Sequence, residues 1–233
     1  VINIKIISVR NSSIFKFSTS FFMNGIKVYI KIMIGINHKW YSTGWDVISL
    51  INSNPPSYPD SIINNLAGGI DNLKVNWAGK DAGTQIQNIV IVHNGMVGIR
   101  NALAELATAA SAVAANYREI QNVNGAGLES LTPVSVNTKS VIDDYSDERD
   151  TIDINADANT GKGRIDVANT SLPEFVNQVQ KYYDLIMENW TIGTGRDSAQ
   201  AAFEDFTTNV NNYREKLTEA SESISKAIQN YDF

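Results

Sequence analysis

Apolar positions in the last third of the chain recur in alternating steps of four and three: Ala199, Phe203, Phe206, Val210, Tyr213, Leu217, Ala220, Ile224, Ala227 and Tyr231. A 3.5-residue period is the seam of a long helix packed on a partner helix. About 35 residues from Asp197 onward, at about 1.5 Å each, predict a rod of roughly 50 Å. Such a rod cannot cover its own seam, so the remaining chain or a second chain must. A second seam, Ile86, Ile89, His93, Met96, Arg100, Leu103, Ala107, Ala110, Ala114 and Tyr117, predicts another long helix over residues 81–121. Alanine dominates it from Ala102 to Ala115, which favours helix and allows close approach of a neighbour.

A shorter amphipathic stretch precedes each long one. Ile62, Leu66, Ile70 and Leu73 form a stripe that ends at Trp77, with Asp60 placed to cap a helix starting at Ser61. Gly68 and Gly69 interrupt it at a cost of roughly 1 kcal/mol each, which a bend or a close helix crossing would explain. Later, Leu172, Phe175, Val176, Val179, Tyr183, Ile186 and Trp190 trace a stripe, opening at Ser171 with Pro173 and Glu174 in its first turn. The order is thus short helix, tryptophan–glycine turn (Trp77 to Gly79), long helix, and then the same order again around Trp190 to Gly193.

Between the two units, residues 122–170 lose the apolar period and read as an acidic flexible linker. The four regions are therefore an N-terminal extension (1–36), a first helical hairpin with its lead-in (37–121), the linker (122–170) and a second hairpin (171–233). In the extension, lysines punctuate apolar runs. Residues 27–32 alternate as a strand would, so a strand pair is one reading. The other is translated AT-rich spacer, with the natural start at Met23 or Met33.

Charge and composition narrow the function classes. The formal net charge is −6, but residues 1–44 carry six Lys/Arg and no acid, so the rest is strongly acidic. Clustered cations for nucleic acid are missing from that body. No apolar run reaches the 18 or so uncharged residues of a membrane span. With no cysteine, disulfides and thiolate chemistry are excluded.

Candidate chemistry is sparse. Asp153, Asn155, Asp157, Asn159 and Gly161 alternate like calcium-loop oxygens, but Ala158 stands where that loop needs glycine and Arg164 where it needs a bidentate glutamate. Gly193 and Gly195 lack the strand and lysine of a phosphate loop. His38 and His93 lie far apart, and His93 falls on a seam, where a packed histidine is the commoner occupant. No catalytic constellation, metal site or cofactor motif emerges. The expectation is a non-enzymatic, all-α protein whose two hairpins pack as an antiparallel four-helix bundle, within one chain or as a dimer. Phe203, Phe206, Val210, Tyr213, Leu217, Ile224 and Tyr231 would be its assembly seam.

Trp77-Ala78-Gly79, set between a shorter and a longer amphipathic helix, resembles the WXG family of early-secreted-antigen-like hairpins associated with type VII (ESX) secretion in Gram-positive bacteria. Trp190-Thr191-Ile192-Gly193 resembles a degenerate copy with one extra residue. The resemblance implies a secreted substrate without a cleaved signal peptide, or a cytoplasmic adaptor or carrier. It also implies partners such as a second copy, another WXG-like protein, an effector or the secretion ATPase. Trp77, Gly79, Trp190 and Gly193 would then shape the turns and meet partners. The family's Tyr-x-x-x-Asp/Glu export signal is not matched: Gln121, Ile186, Met187 and Leu217 follow Tyr117, Tyr182, Tyr183 and Tyr213 at the acidic position. The competing expectation is a coiled-coil spacer that oligomerises through Phe203–Tyr231.

Overall fold

The computed structural model describes residues 5–9, 12–23, 26–34, 57–123, 132, 136–189 and 194–230. Its described body is all-α. Among these residues four helices form: α1 (Pro59–Asn76), α2 (Lys80–Val123), α3 (Ala158–Asn189) and α4 (Thr194–Asn230). Near the N-terminus, β1 (Lys5–Val9), β2 (Ser12–Met23) and β3 (Ile26–Ile34) make an antiparallel sheet in the order β1-β2-β3. Its register pairs Ile7 with Ile14 and Thr19 with Ile30. The extension therefore holds three strands rather than a pair. Two further two-residue strands, β4 (Trp77–Ala78) and β5 (Asp153–Ile154), pair antiparallel.

The chain divides into two compact units that interleave along the sequence instead of following one another. Unit 1 comprises residues 1–52, 99–139 and 179–205; unit 2 comprises 53–98, 140–178 and 206–233.

Unit 2 draws on all four helices, and its buried side chains follow the seams. Ile62, Leu66, Ile70 and Leu73 come from α1; Ile86, Ile89, His93 and Met96 from α2; Ile165, Ala168, Leu172 and Phe175 from α3; Phe206, Val210, Tyr213, Leu217 and Ile224 from α4. Neighbouring helices run antiparallel. Across α3 and α4, Asp166 meets Ser221, Asn169 meets Thr218, and the Phe175 and Phe206 rings pack edge to face with centroids 5.8 Å apart. Across α2 and α4, Lys216 Nζ donates to Asn88 Oδ1 at 3.2 Å, and Tyr213 lies where a Cβ on Gly95 would stand. Across α1 and α3, Gly161 N–H donates to Asn72 Oδ1 at 3.0 Å. Within unit 2 this is an antiparallel four-helix bundle made by one chain, so the α4 seam from Phe206 to Ile224 is already covered.

Gly69 of the Gly68–Gly69 pair marks a close crossing of α1 and α3. A Cβ on Gly69 would lie 2.5 Å from Ile165 Cδ1 and 3.3 Å from the Gly161 carbonyl oxygen. From the other side, a Cβ on Gly161 would lie 2.9 Å from Leu73 Cγ. The entropic cost of glycine in a helix is offset here by backbone approach that no larger residue allows.

Three boundaries differ from the sequence reading. Pro59, whose missing N–H costs nothing in a first turn, starts α1, with extended Tyr58 before it; Asp60 lies inside the helix, where its charge favours the N-terminal dipole. Residues 158–170, expected as linker, are the first turns of α3. Ala158, Gly161, Ile165, Ala168, Leu172 and Phe175 are buried at steps of three and four, and this seam was hidden by small and polar neighbours. Pro173 consequently sits inside α3 rather than at its start.

In unit 1, Ala104 and Ala107 of α2 are buried against Leu103, Val136 and Tyr182. Tyr183 stacks on Phe203 with centroids 4.4 Å apart. Ala199 and Phe203 belong to a different unit from Phe206 and the seam positions that follow it.

Candidate functional site

The turn between α1 and α2 is built by residues far away in sequence. After α1, Trp77 turns extended (φ −142°, ψ 129°), and its N–H still reaches back to the Leu73 carbonyl. Trp77 and Ala78 pair with Ile154 and Asp153. Gly79 follows at φ +112°, in the left-handed half of the map where an L side chain is strained, and a Cβ there would lie 2.8 Å from the Thr151 carbonyl oxygen. Asn155 completes the clamp: its N–H donates to the Asn76 carbonyl at 3.1 Å, and its Nδ2 to Asn76 Oδ1 at 2.9 Å.

Asp147 holds the start of α2. Its Oδ2 accepts the Gly79 N–H at 3.0 Å, so a remote carboxylate satisfies a donor that a local capping residue would normally take. Arg149 Nε donates to Asp147 Oδ1 at 2.8 Å. The Arg149 guanidinium, and then the Gly79 N–H, hold the Asp147 carboxyl well below its usual range. Asp147 in turn raises the pKa of Arg149. Lys80 adds an ion pair to Asp150 at 2.5 Å, although both side chains are largely exposed and the pair contributes little.

The segment from Asp147 back to Ser140, expected to be free linker, lies along α2 and is held by side-chain amides. Asn94 Nδ2 donates to the Ile142 carbonyl at 2.8 Å while Asn94 Oδ1 accepts the Ile142 N–H at 2.8 Å. Gln87 Oε1 accepts the Tyr145 N–H at 2.6 Å, and Gln87 Nε2 donates to Asp144 Oδ1 at 2.9 Å. Lys80 N–H donates to the Arg149 carbonyl at 3.2 Å. The backbone at Asp147 passes so close to Gly83 that a Cβ there would lie 2.6 Å from the Asp147 nitrogen. In unit 1, Asn101 makes the same reciprocal pair with Lys139, at 2.9 and 2.8 Å. There too, the buried Arg100 donates to the Asn137 carbonyl.

The geometry is a matter of matched repeats. Within unit 2, Asn94 and Gln87 stand seven residues apart, while Ile142 and Tyr145 stand three apart. Seven helical residues rise about 10.5 Å, and three extended residues cover nearly the same length. Asn94 satisfies only main-chain groups of the strap, whereas Gln87 divides between the Tyr145 N–H and the Asp144 carboxylate. His93 neighbours this arrangement: its Nδ1 lies 3.0 Å from Asn94 Oδ1, so with that oxygen accepting, Nδ1 carries the proton.

The sequence-predicted site residues divide accordingly. Trp77 is 2% exposed, and its Nε1 has no hydrogen-bond partner among the described residues. The indole is a core side chain at the turn, so the recognition role expected of it has no exposed surface to work through. Gly79 takes the left-handed conformation described above. Trp190, Gly193 and Tyr231 lie outside the described residues, as does His38, while Gly195 falls in the first turn of α4.

Of the calcium-like oxygens, Asn155 Oδ1 accepts the Asp157 N–H at 2.9 Å, beside the start of α3, and Asp153 lies in β5. Among the described residues no group of three or more His, Cys, Asp or Glu side chains converges on a metal position. No described helix is long and apolar enough to cross a membrane. Gln87, Asn94 and Asp147 escaped the sequence reading. The seven-residue spacing of the amides was visible, but polar residues on a helix normally read as solvated. Comparison with known protein families, with curated proteins and with solved structures finds no match to this chain.

Proposed function

We infer that this chain is a non-enzymatic helical protein that acts by binding other proteins, as a substrate or carrier of a type VII-like secretion system. The observation that carries this reading is the α1–Trp77-Ala78-Gly79–α2 hairpin, with its buried indole and its glycine at φ +112°. A three-residue turn of this kind joins two antiparallel helices. The resemblance to WXG hairpins adds the secretion context. The spacer alternative is weakened because the α4 seam from Phe206 to Ile224 is already buried within one chain.

Export tests the proposal. The tagged protein is expressed in its host with and without the secretion-system ATPase, and culture supernatant is compared with cells. The expected result is extracellular protein that disappears in the ATPase mutant. Retention of folded protein inside both strains would reject secretion and favour an adaptor or spacer. Trp77→Ala is a poor companion variant, because truncating a buried tryptophan costs about 3–5 kcal/mol whatever its other role. Trp77→Phe keeps most of the volume and removes the unpaired Nε1 donor.

A further inference from the structure

Alongside the export reading, and independent of it, stands the face of α2 that carries Lys80, Gln87 and Asn94. We propose that this face is a docking track for an extended acidic segment of another protein. The chain's own residues 140–150 are its resident occupant.

Three observations on unit 2 support this. First, recognition is through the main chain. Asn94 takes both the N–H and the carbonyl of Ile142, and Gln87 takes the N–H of Tyr145 and, besides it, one side chain, the Asp144 carboxylate. Paired amide contacts of this type read any extended backbone, which is how β-augmentation gains affinity without fixing sequence.

Second, the strap is laid on the helix rather than built into the core. Ile142 and Tyr145 are half-buried, while Val141, Asp143, Asp144 and Ser146 are exposed. A segment held mainly by polar bonds at a surface belongs to the low-stability end of a structure and opens before its helices do. Third, charge selects the occupant. Residues 143–150 hold five acids against one arginine. They run towards the N-terminus of α2, where the helix dipole favours anions. There the Asp147 carboxylate accepts the Gly79 N–H, and the Lys74 ammonium lies 5.0 Å from the Tyr145 ring centroid. An incoming segment of the same polarity would place its acids against the same positive end.

In the resting chain the tethered strap competes at high effective concentration, so the test must release it. In the full-length variant Ile142→Pro/Asp147→Ala, the N–H that reaches Asn94 and the carboxylate that reaches Gly79 are gone while the track is intact. A fluorescent peptide with the sequence of Ser140–Asp150 is titrated and followed by anisotropy. The expected result is saturable binding at least tenfold tighter than to the unmodified chain. It should fall at least tenfold when Asn94→Ala is added, or when the peptide is N-methylated at the positions of Ile142 and Tyr145. Alanine at the exposed positions Val141 and Ser146 of the peptide should leave it unchanged.

Tyr145→Pro repeats the test with a different hold released, and circular dichroism reports the helices in both variants. No saturable binding to folded variants overturns the proposal. So does loss of the helices in both, because a strap on which the bundle depends cannot be exchanged. A concentration-dependent dimer of the unmodified chain that Ile142→Pro abolishes would also overturn it, in favour of strap exchange between two copies.

Discussion

Asp147 shows how one side chain ties the hairpin to the strap. Its carboxylate accepts from Arg149 and from the Gly79 N–H, and its side chain is 5% exposed. Those donors stabilise the charged form, so the folded-state pKa lies below the ordinary carboxylate value. A depressed folded pKa contributes stability that is present above the unfolded value and lost as pH falls through that value and below. Acid unfolding should therefore steepen below about pH 4. Asp147→Asn should start less stable at pH 7 and lose less between pH 5 and pH 3, as read from urea midpoints across that range. An unchanged acid limb in the variant would show that the carboxylate is not linked to folding.

At the scale of elements, the glycines at the α1–α3 crossing separate two effects that sequence alone merges. Gly68 and Gly69 are adjacent and equally unfavourable in a helix. A Cβ on Gly68 meets only the flexible end of the exposed Arg164 side chain, whereas one on Gly161 meets Leu73 and Asn72 Oδ1 within 3 Å. Gly68→Ala should then raise stability by up to about 1 kcal/mol through helix propensity. Gly161→Ala should lower it, because overpacking costs about 1–3 kcal/mol and exceeds that gain. Thermal melts of the two variants should shift in opposite directions. Equal shifts would mean that the helices separate freely at the crossing.

For the whole molecule, the interleaving of the units matters most. Unit 2 needs α1, the start of α2, the start of α3 and the end of α4, which come from residues 53–98, 140–178 and 206–233. Its contacts join distant parts of the chain, an arrangement that slows folding because loop closure precedes the gain from contact. A fragment of residues 171–233, one hairpin in the sequence reading, lacks the α2 residues Gly95 and Asn88 against which Tyr213 and Lys216 of α4 pack. It should show low helicity by circular dichroism at micromolar concentration, with full helicity returning only when the rest of the chain is present. A fragment helical on its own would show that α4 does not rely on those partners.

The seams of α1, α2 and α4 were legible in the sequence because burial of one helical face imposes a period of 3.5–3.6 residues whatever the partner is. Gly79 was legible for a similar reason: a turn that short between two helices favours the residue without a Cβ. The early start of α3 could be read only in part. Ala158, Gly161 and Ala168 keep the period, but small residues signal close approach only once the opposing Leu73 is in place. Residues 140–150 were misread because an acidic, aperiodic stretch looks solvated when its backbone partners are unknown. Those partners are amides on α2, seven residues apart, and a polar side chain gives no local sign of whether it faces water or another main chain. Periodicity, propensity and turn chemistry act within a few residues, so the chain's order of elements follows from sequence. The clamp on Gly79, the covering of α2 and the burial of Trp77 join residues up to about eighty positions apart, so tertiary structure decided them.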